Sequence, residues 1–163
     1  MNRRTLILAA LIAPLAACSS KFRSYDGPEV TRIVVMKSDR RMYLLNNKNI
    51  LRGFDIELGF APVGHKQVEG DGKTPEGRYF IDRRNPNSSF HLSLGISYPN
   101  ARDIEVARQL GQSPGGDIFI HGETTGPRRG TENWTAGCIA VTDREMEDIY
   151  AMVRNGTPID IFP

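Results

Sequence analysis

The sequence predicts a mostly-β fold, β-sandwich-like, with two short helices. Three observations carry that expectation. Runs of β-branched and aromatic residues recur from Val30 to Phe162, clusters of Gly, Pro, Asn and Ser separate them, and helical spacing occurs only twice, without strand–helix–strand alternation. With 163 residues, 39% hydrophobic and 25% charged, the chain has the size and composition of one domain able to bury a core.

Val30 to Met36 is a β-branched run and reads as the first strand. Met42 to Leu45 and Ile50 to Leu58 flank Asn46-Asn47-Lys48-Asn49, which makes a hairpin with a polar turn. Gly59 to Gly77, with Pro62 and Pro75, reads as a long loop; its His65, Glu69 and Asp71 are either solvated or touch a ligand. Arg78 to Asp82 follows as a strand. In Phe90 to Leu94 the alternation sets His91 and Ser93 on one face and Phe90, Leu92 and Leu94 on the other, which makes His91 a structural histidine. Asn100 as a cap, Ile104, Ala107 and Leu110 as an apolar stripe and Gly111 as a stop predict a short helix. Asp117 to Ile120 and Cys138 to Val141 are two further strands. Thr142-Asp143-Arg144-Glu145 is a capping box, and Met146, Ile149, Tyr150 and Val153 follow at helical spacing before Asn155-Gly156. Pro158 to Phe162 closes the series.

The first residues carry a different signal. Arg3 and Arg4 precede an apolar run from Leu6 to Ala13, and Leu15-Ala16-Ala17-Cys18 has the form of a lipobox. The run is too short for a membrane span and Pro14 interrupts it. The expected division is a lipoprotein signal peptide over 1–17, a lipidated Cys18 with a tether over 18–29, and a folded domain over 30–163. Acyl chains on Cys18 would anchor the protein to a membrane, facing the periplasm of the envelope; Ser19, where Asp would retain a lipoprotein at the inner membrane, leans toward the outer one. The alternative is an ordinary signal peptide cut near Ala17.

Removing Arg3 and Arg4 from the 21 basic residues leaves 19, matching the 19 acidic ones. A formally neutral domain lacks the basic stripe that nucleic acid requires, so no nucleic-acid partner is expected. With Cys18 taken by lipid, Cys138 is the one remaining thiol of an exported chain and has no intramolecular disulfide partner. Such a thiol is either a small buried hydrophobe or a nucleophile.

Its neighbours favour the nucleophile. Cys138 and His121 stand at the ends of two expected strands joined by a loop, and a thiol attacks carbonyl carbon once a histidine within reach takes its proton. Gly137 permits a close backbone approach, so its N–H and that of Cys138 are candidate oxyanion donors, with the Thr135 hydroxyl in support. The rival assignment makes His65, His91, His121 and Cys138 metal ligands, but the sequence contains neither an i,i+4 His pair nor a Cys-x-x-Cys knuckle. No metal and no cofactor is expected.

His121-Gly122, a loop, then Thr135-Ala136-Gly137-Cys138 resembles the signature of the L,D-transpeptidase catalytic domain (YkuD-type). The resemblance extends to Thr74-Pro75-Glu76-Gly77 and to Asp117-Ile118-Phe119-Ile120, covering most of the chain from Val30. It implies a catalytic domain acting on peptidoglycan stem peptides in which Cys138 is acylated at an L-centre, His121 shuttles the proton, and an amine resolves the thioester. Water in place of the amine makes the same site a hydrolase, including one that releases peptidoglycan-bound lipoprotein; a non-catalytic peptidoglycan-binding lipoprotein is the alternative of another class. Two residues depart from the family pattern: alanine stands at 136, where a second histidine is common, and at 140, where an arginine or asparagine is common. The loop from Glu123 to Trp134 reads as a lid, with Arg128 and Arg129 placed to meet stem-peptide carboxylates or else forming a solvated tip. Trp134 and His65 complete the candidate substrate contacts.

Overall fold

The computed structural model describes residues 20–123 and 132–163. Its elements are β1 (Arg32–Met36), β2 (Arg41–Asn46), β3 (Asn49–Asp55), β4 (Gly77–Asn85), β5 (Ser93–Ile96), α1 (Ala101–Gln109), β6 (Phe119–His121), β7 (Ile139–Ala140), α2 (Asp143–Met152) and β8 (Pro158–Phe162). The eight strands form one continuous curled sheet in the order β3-β2-β1-β8-β4-β5-β6-β7. The mostly-β expectation with two helices holds.

Alternation explains the first half of the sheet. Ile33 and Val35 of β1, Met42 and Leu44 of β2, and Ile159 and Ile161 of β8 point into the core. The β2–β3 hairpin turns through Asn47-Lys48, and Asn47 takes the positive φ of 54° that such a turn demands and that asparagine tolerates. β8 lies between β1, to which it is parallel, and β4, to which it is antiparallel. β4 then hands the sheet over: Gly77 to Phe80 pair with β8, and Ile81 to Asn85 pair with β5 across a register shift. That hand-off joins the two halves into a single curled sheet. α2 packs on β5 and β6 through Met146, Ile149, Tyr150 and Val153, the stripe read from sequence.

Three elements differ from expectation. Residues 90–92 are not a strand, because His91 adopts φ 69° and turns the chain; β5 starts at Ser93. β7 has two residues and begins after Cys138. In α1 the inward residues are Asp103 and Ala107, while Ile104 and Leu110 are about half exposed. The cause is polar: Asp103 Oδ2 accepts from Tyr79 Oη (2.9 Å) and from the Asn100 N–H (2.8 Å), and Oδ1 meets His65 Nε2 (3.2 Å). Satisfying a buried carboxylate sets the rotation of the helix, and the hydropathy stripe yields.

The segment read as a tether is also docked over its described part. Arg23 bridges Glu147 and Asp148 of α2 at 2.6–2.9 Å, the Phe22 ring lies 6.3 Å from that of Tyr150, and Lys21 Nζ donates to the carbonyls of Pro86 (2.6 Å) and His91 (3.0 Å).

Candidate active site

β6 ends on His121 and β7 starts one residue after Cys138; the two strands run parallel with Ile120 opposite Ile139 and His121 opposite Ala140. This register brings Cys138 beside Phe119, whose N–H donates to Sγ at 3.4 Å, and the thiol donates to the Asp117 carbonyl at 3.5 Å. His121 and Cys138 line one cavity of about 310 Å³, with Phe90, Ser93, Asp117 and Phe119 among its walls. No hydrogen bond joins the two side chains among the described residues.

His121 is fixed on three sides. Its Nδ1 lies 2.6 Å from the Gly122 carbonyl, a contact that requires a proton on Nδ1 and leaves Nε2 as the basic nitrogen of the neutral ring. Phe90 and Trp134 pack on the ring at centroid distances of 4.5 and 5.6 Å. Burial lowers the His121 pKa, the Gly122 contact opposing it, and burial raises that of Cys138 against the Phe119 N–H. The resting pair is therefore neutral imidazole and neutral thiol. A thiolate would form as the proton moves, not beforehand.

The turn before Cys138 is built by Thr135. Its Oγ1 donates to the Cys138 carbonyl (2.7 Å) and accepts from the Gly137 N–H (3.2 Å), while Gly137 sits at φ 127°. A Cβ on Gly137 would stand 2.6 Å from the Lys73 carbonyl oxygen, and one on Gly59 would stand 2.0 Å from that of Gly72. Three backbone segments thus meet here with no room for side chains. Asp71 holds the segment behind the turn by accepting from the N–H groups of Gln67, Val68 and Lys73 and from Lys66 Nζ. The Gly137 N–H is thereby engaged with Thr135, and the Cys138 N–H has no partner among the described residues.

The other candidates separate. Trp134 reaches the site through His121. His65 does not: it accepts from the Glu76 N–H at Nδ1 (2.9 Å), meets Asp103 at Nε2, and lines a different cavity, of about 630 Å³. His91 Nε2 lies 3.0 Å from Glu147 Oε1, so the three histidines stand apart, and no cluster of three metal-ligating side chains occurs among the described residues. Ala140 is buried, exchanges backbone hydrogen bonds with Glu57, and lines a neighbouring cavity with Asp55, Glu57, Glu123 and Glu145; Ala136 is exposed. Arg128, Arg129 and Cys18 lie outside the described residues. Sequence reasoning missed the Gly122 carbonyl and the Phe90 wall; glycine directly after the histidine was the one visible signal.

A mostly-β domain that sets a thiol and an oriented imidazole in one cavity has the parts of a thiol-dependent acyl-transfer site. Residues 30–161 match the L,D-transpeptidase catalytic domain (YkuD), and the chain belongs to that family. It is 32% identical to YafK of Escherichia coli (strain K12) over 172 aligned positions, covering 94% of this chain and 64% of YafK, so it spans under two-thirds of that relative's length. Among solved structures, the helical cell shape determining protein Pgp2 of Campylobacter jejuni superposes with a TM-score of 0.59 at 27% identity, over 84% of this chain and 49% of Pgp2. Bd1075 of Bdellovibrio bacteriovorus superposes with a TM-score of 0.56 at 25% identity, over 82% and 48%.

Proposed function

We propose that the protein is a peptidoglycan L,D-transpeptidase using Cys138 as nucleophile. The observation that carries the reading is the shared cavity in which the Gly122 carbonyl orients His121 and leaves Nε2 free toward a reacting group. Sγ of Cys138 attacks the carbonyl of an L-centre next to a D-residue in a stem peptide while His121 Nε2 takes the thiol proton. The Cys138 N–H donates to the oxyanion; a second donation from the Gly137 N–H would be shared with Thr135 Oγ1. Collapse breaks the C–N bond, the imidazolium returns its proton to the leaving D-residue amine, and a thioester remains. An acceptor amine attacks that thioester, giving its proton to His121, and the thiol is restored as the L,D-linkage forms. No metal or organic cofactor enters this sequence. Water in place of the amine yields an L,D-endopeptidase or an enzyme that detaches peptidoglycan-bound lipoprotein.

The lipobox supports export and anchoring through a lipidated Cys18 at the periplasmic face, with Ser19 favouring the outer membrane. Arg128 and Arg129, which fall between β6 and β7 in the sequence, are charge-matched to stem-peptide carboxylates.

The test is mass spectrometry of peptidoglycan fragments after incubating wild type and Cys138→Ala with sacculi that do or do not carry bound lipoprotein. New L,D-linked dimers from wild type alone are the expected result. Released lipoprotein, or lost L,D-links without new ones, would make the protein a hydrolase; no change in any arm would make it a binding module.

A further inference from the structure

Lys21 touches neither substrate cavity nor core, yet its ammonium joins two backbone carbonyls, those of Pro86 and His91. These residues are the two ends of the loop that leaves β4 and enters β5. Between them the loop delivers Ser88, Ser89 and Phe90 to the wall of the Cys138 cavity, and Phe90 is the ring that packs on His121 at 4.5 Å. The Phe90 carbonyl also accepts from the Gly122 N–H (3.1 Å), the residue whose own carbonyl orients His121 Nδ1. Within the loop the Phe90 N–H donates to Ser88 Oγ and the Asn87 N–H to Asn85 Oδ1, and His91 holds φ 69° without being glycine. Lys21 is in turn held in place by its neighbours, since Arg23 is bridged to Glu147 and Asp148, and Glu147 also meets His91 Nε2.

We propose that Lys21 is a positioning residue for the reaction: by drawing the Pro86 and His91 carbonyls to one ammonium it closes the neck of the loop that seats Phe90 on His121. The segment between the anchor and the domain is then part of the support of the active site and not a spacer. Charge-assisted bonds to two carbonyls in a half-buried setting are strong enough to select one loop conformation, and small displacements of a catalytic base cost rate more than binding. The inference rests on the proposed chemistry for its kinetic readout. Trp134, the single tryptophan of the chain, supplies one that does not, because it lies 5.6 Å from His121 and a protonated imidazole quenches the emission of an indole so close to it.

The experiment compares the wild-type protein in detergent with Lys21→Met, Lys21→Arg and Arg23→Met. Lys21→Met is expected to lower kcat on a stem peptide on the order of 10- to 100-fold with KM within about twofold, and to raise the pH midpoint of Trp134 emission toward the ordinary histidine value of 6.5 as the ring gains water. Lys21→Arg should restore both and Arg23→Met should share the direction; His121→Gln, which removes the inflection, identifies the titrating group. An unchanged kcat and midpoint in Lys21→Met would overturn the proposal, as would a loss that Arg does not restore and that follows the unfolded fraction. A wild type that turns over no stem peptide refutes the transpeptidase reading alone, and the emission midpoint still decides for or against Lys21.

Discussion

At the scale of single residues, His121 and Cys138 are a neutral pair in one cavity. Because burial holds the His121 pKa below 6.5, acylation of Cys138 by a carbapenem should stay fast down to mildly acidic pH and fall only as pH drops through that lowered value. In His121→Ala the base is gone and the thiol, raised above its usual 9.0, must ionise alone; labelling should be slow at neutral pH and climb in alkali above pH 9. Rates of adduct formation against pH, read by intact mass, check both, and Cys138→Ala should give no adduct at any pH. Gly137→Ala tests the turn. A Cβ at φ 127° facing the Lys73 carbonyl cannot be accommodated without moving Cys138, so acylation is expected to fall about 100-fold or more, with the melt showing how much of the loss is folding. That His121 and Cys138 would share a cavity was legible, because the chemistry proposed for them restricts residue type. The Gly122 carbonyl was not, since every residue carries a carbonyl and only geometry shows which one is used.

At the scale of elements, α1 shows where hydropathy misleads. Ile104 reads as core and Asp103 as surface, yet the carboxylate is buried among Tyr79, His65 and the helix cap while Ile104 faces outward. Ile104→Ser should change stability by no more than about 0.5 kcal/mol. Asp103→Ala should cost about 2–4 kcal/mol, since it strands the Tyr79 hydroxyl and the Asn100 N–H and frees His65 from α1. Urea midpoints for the two variants give the comparison. The second helix was legible because its capping box, apolar stripe and terminal Asn-Gly agree, and the structure contains both halves of that box. The Phe90 to Leu94 alternation failed for the opposite reason: a backbone held at positive φ by tertiary contacts overrides a local pattern of period two. His65 falls between these cases. Its loop position left it either solvated or in touch with a ligand, and in the structure it ties that loop to α1.

At the scale of the whole molecule, strand order was the least legible feature. Neighbouring strands in sequence pair readily, as β1, β2 and β3 do, but β8 enters the sheet between β1 and β4 and no local signal announces it. Its attachment is polar as well as apolar. Asp160, almost fully buried, takes Arg78 at 2.7 Å and Arg32, and the Arg78 hydrogen bond leads the causes that hold its pKa below the ordinary 3.8. That group stabilises the fold above the unfolded carboxylate value, and the contribution is lost as pH falls through the lower folded one. Deleting 158–163 should therefore not trim an edge but remove the middle of the sheet: circular dichroism and urea titration are expected to show no cooperative transition, and a truncated protein that still melts cooperatively would refute this account.

The same placement of β8 decides when the domain comes into being. Arg32 and Asp160 are 128 residues apart, and the parallel seam beside them closes only after nearly all of the sequence between has been made. Earlier portions of the chain can form hairpins, but the gap between β1 and β4 stays open until β8 has been made. A nascent chain of this kind stays unsealed, and open to threading, until residues 158–162 have emerged to take their place between the two halves.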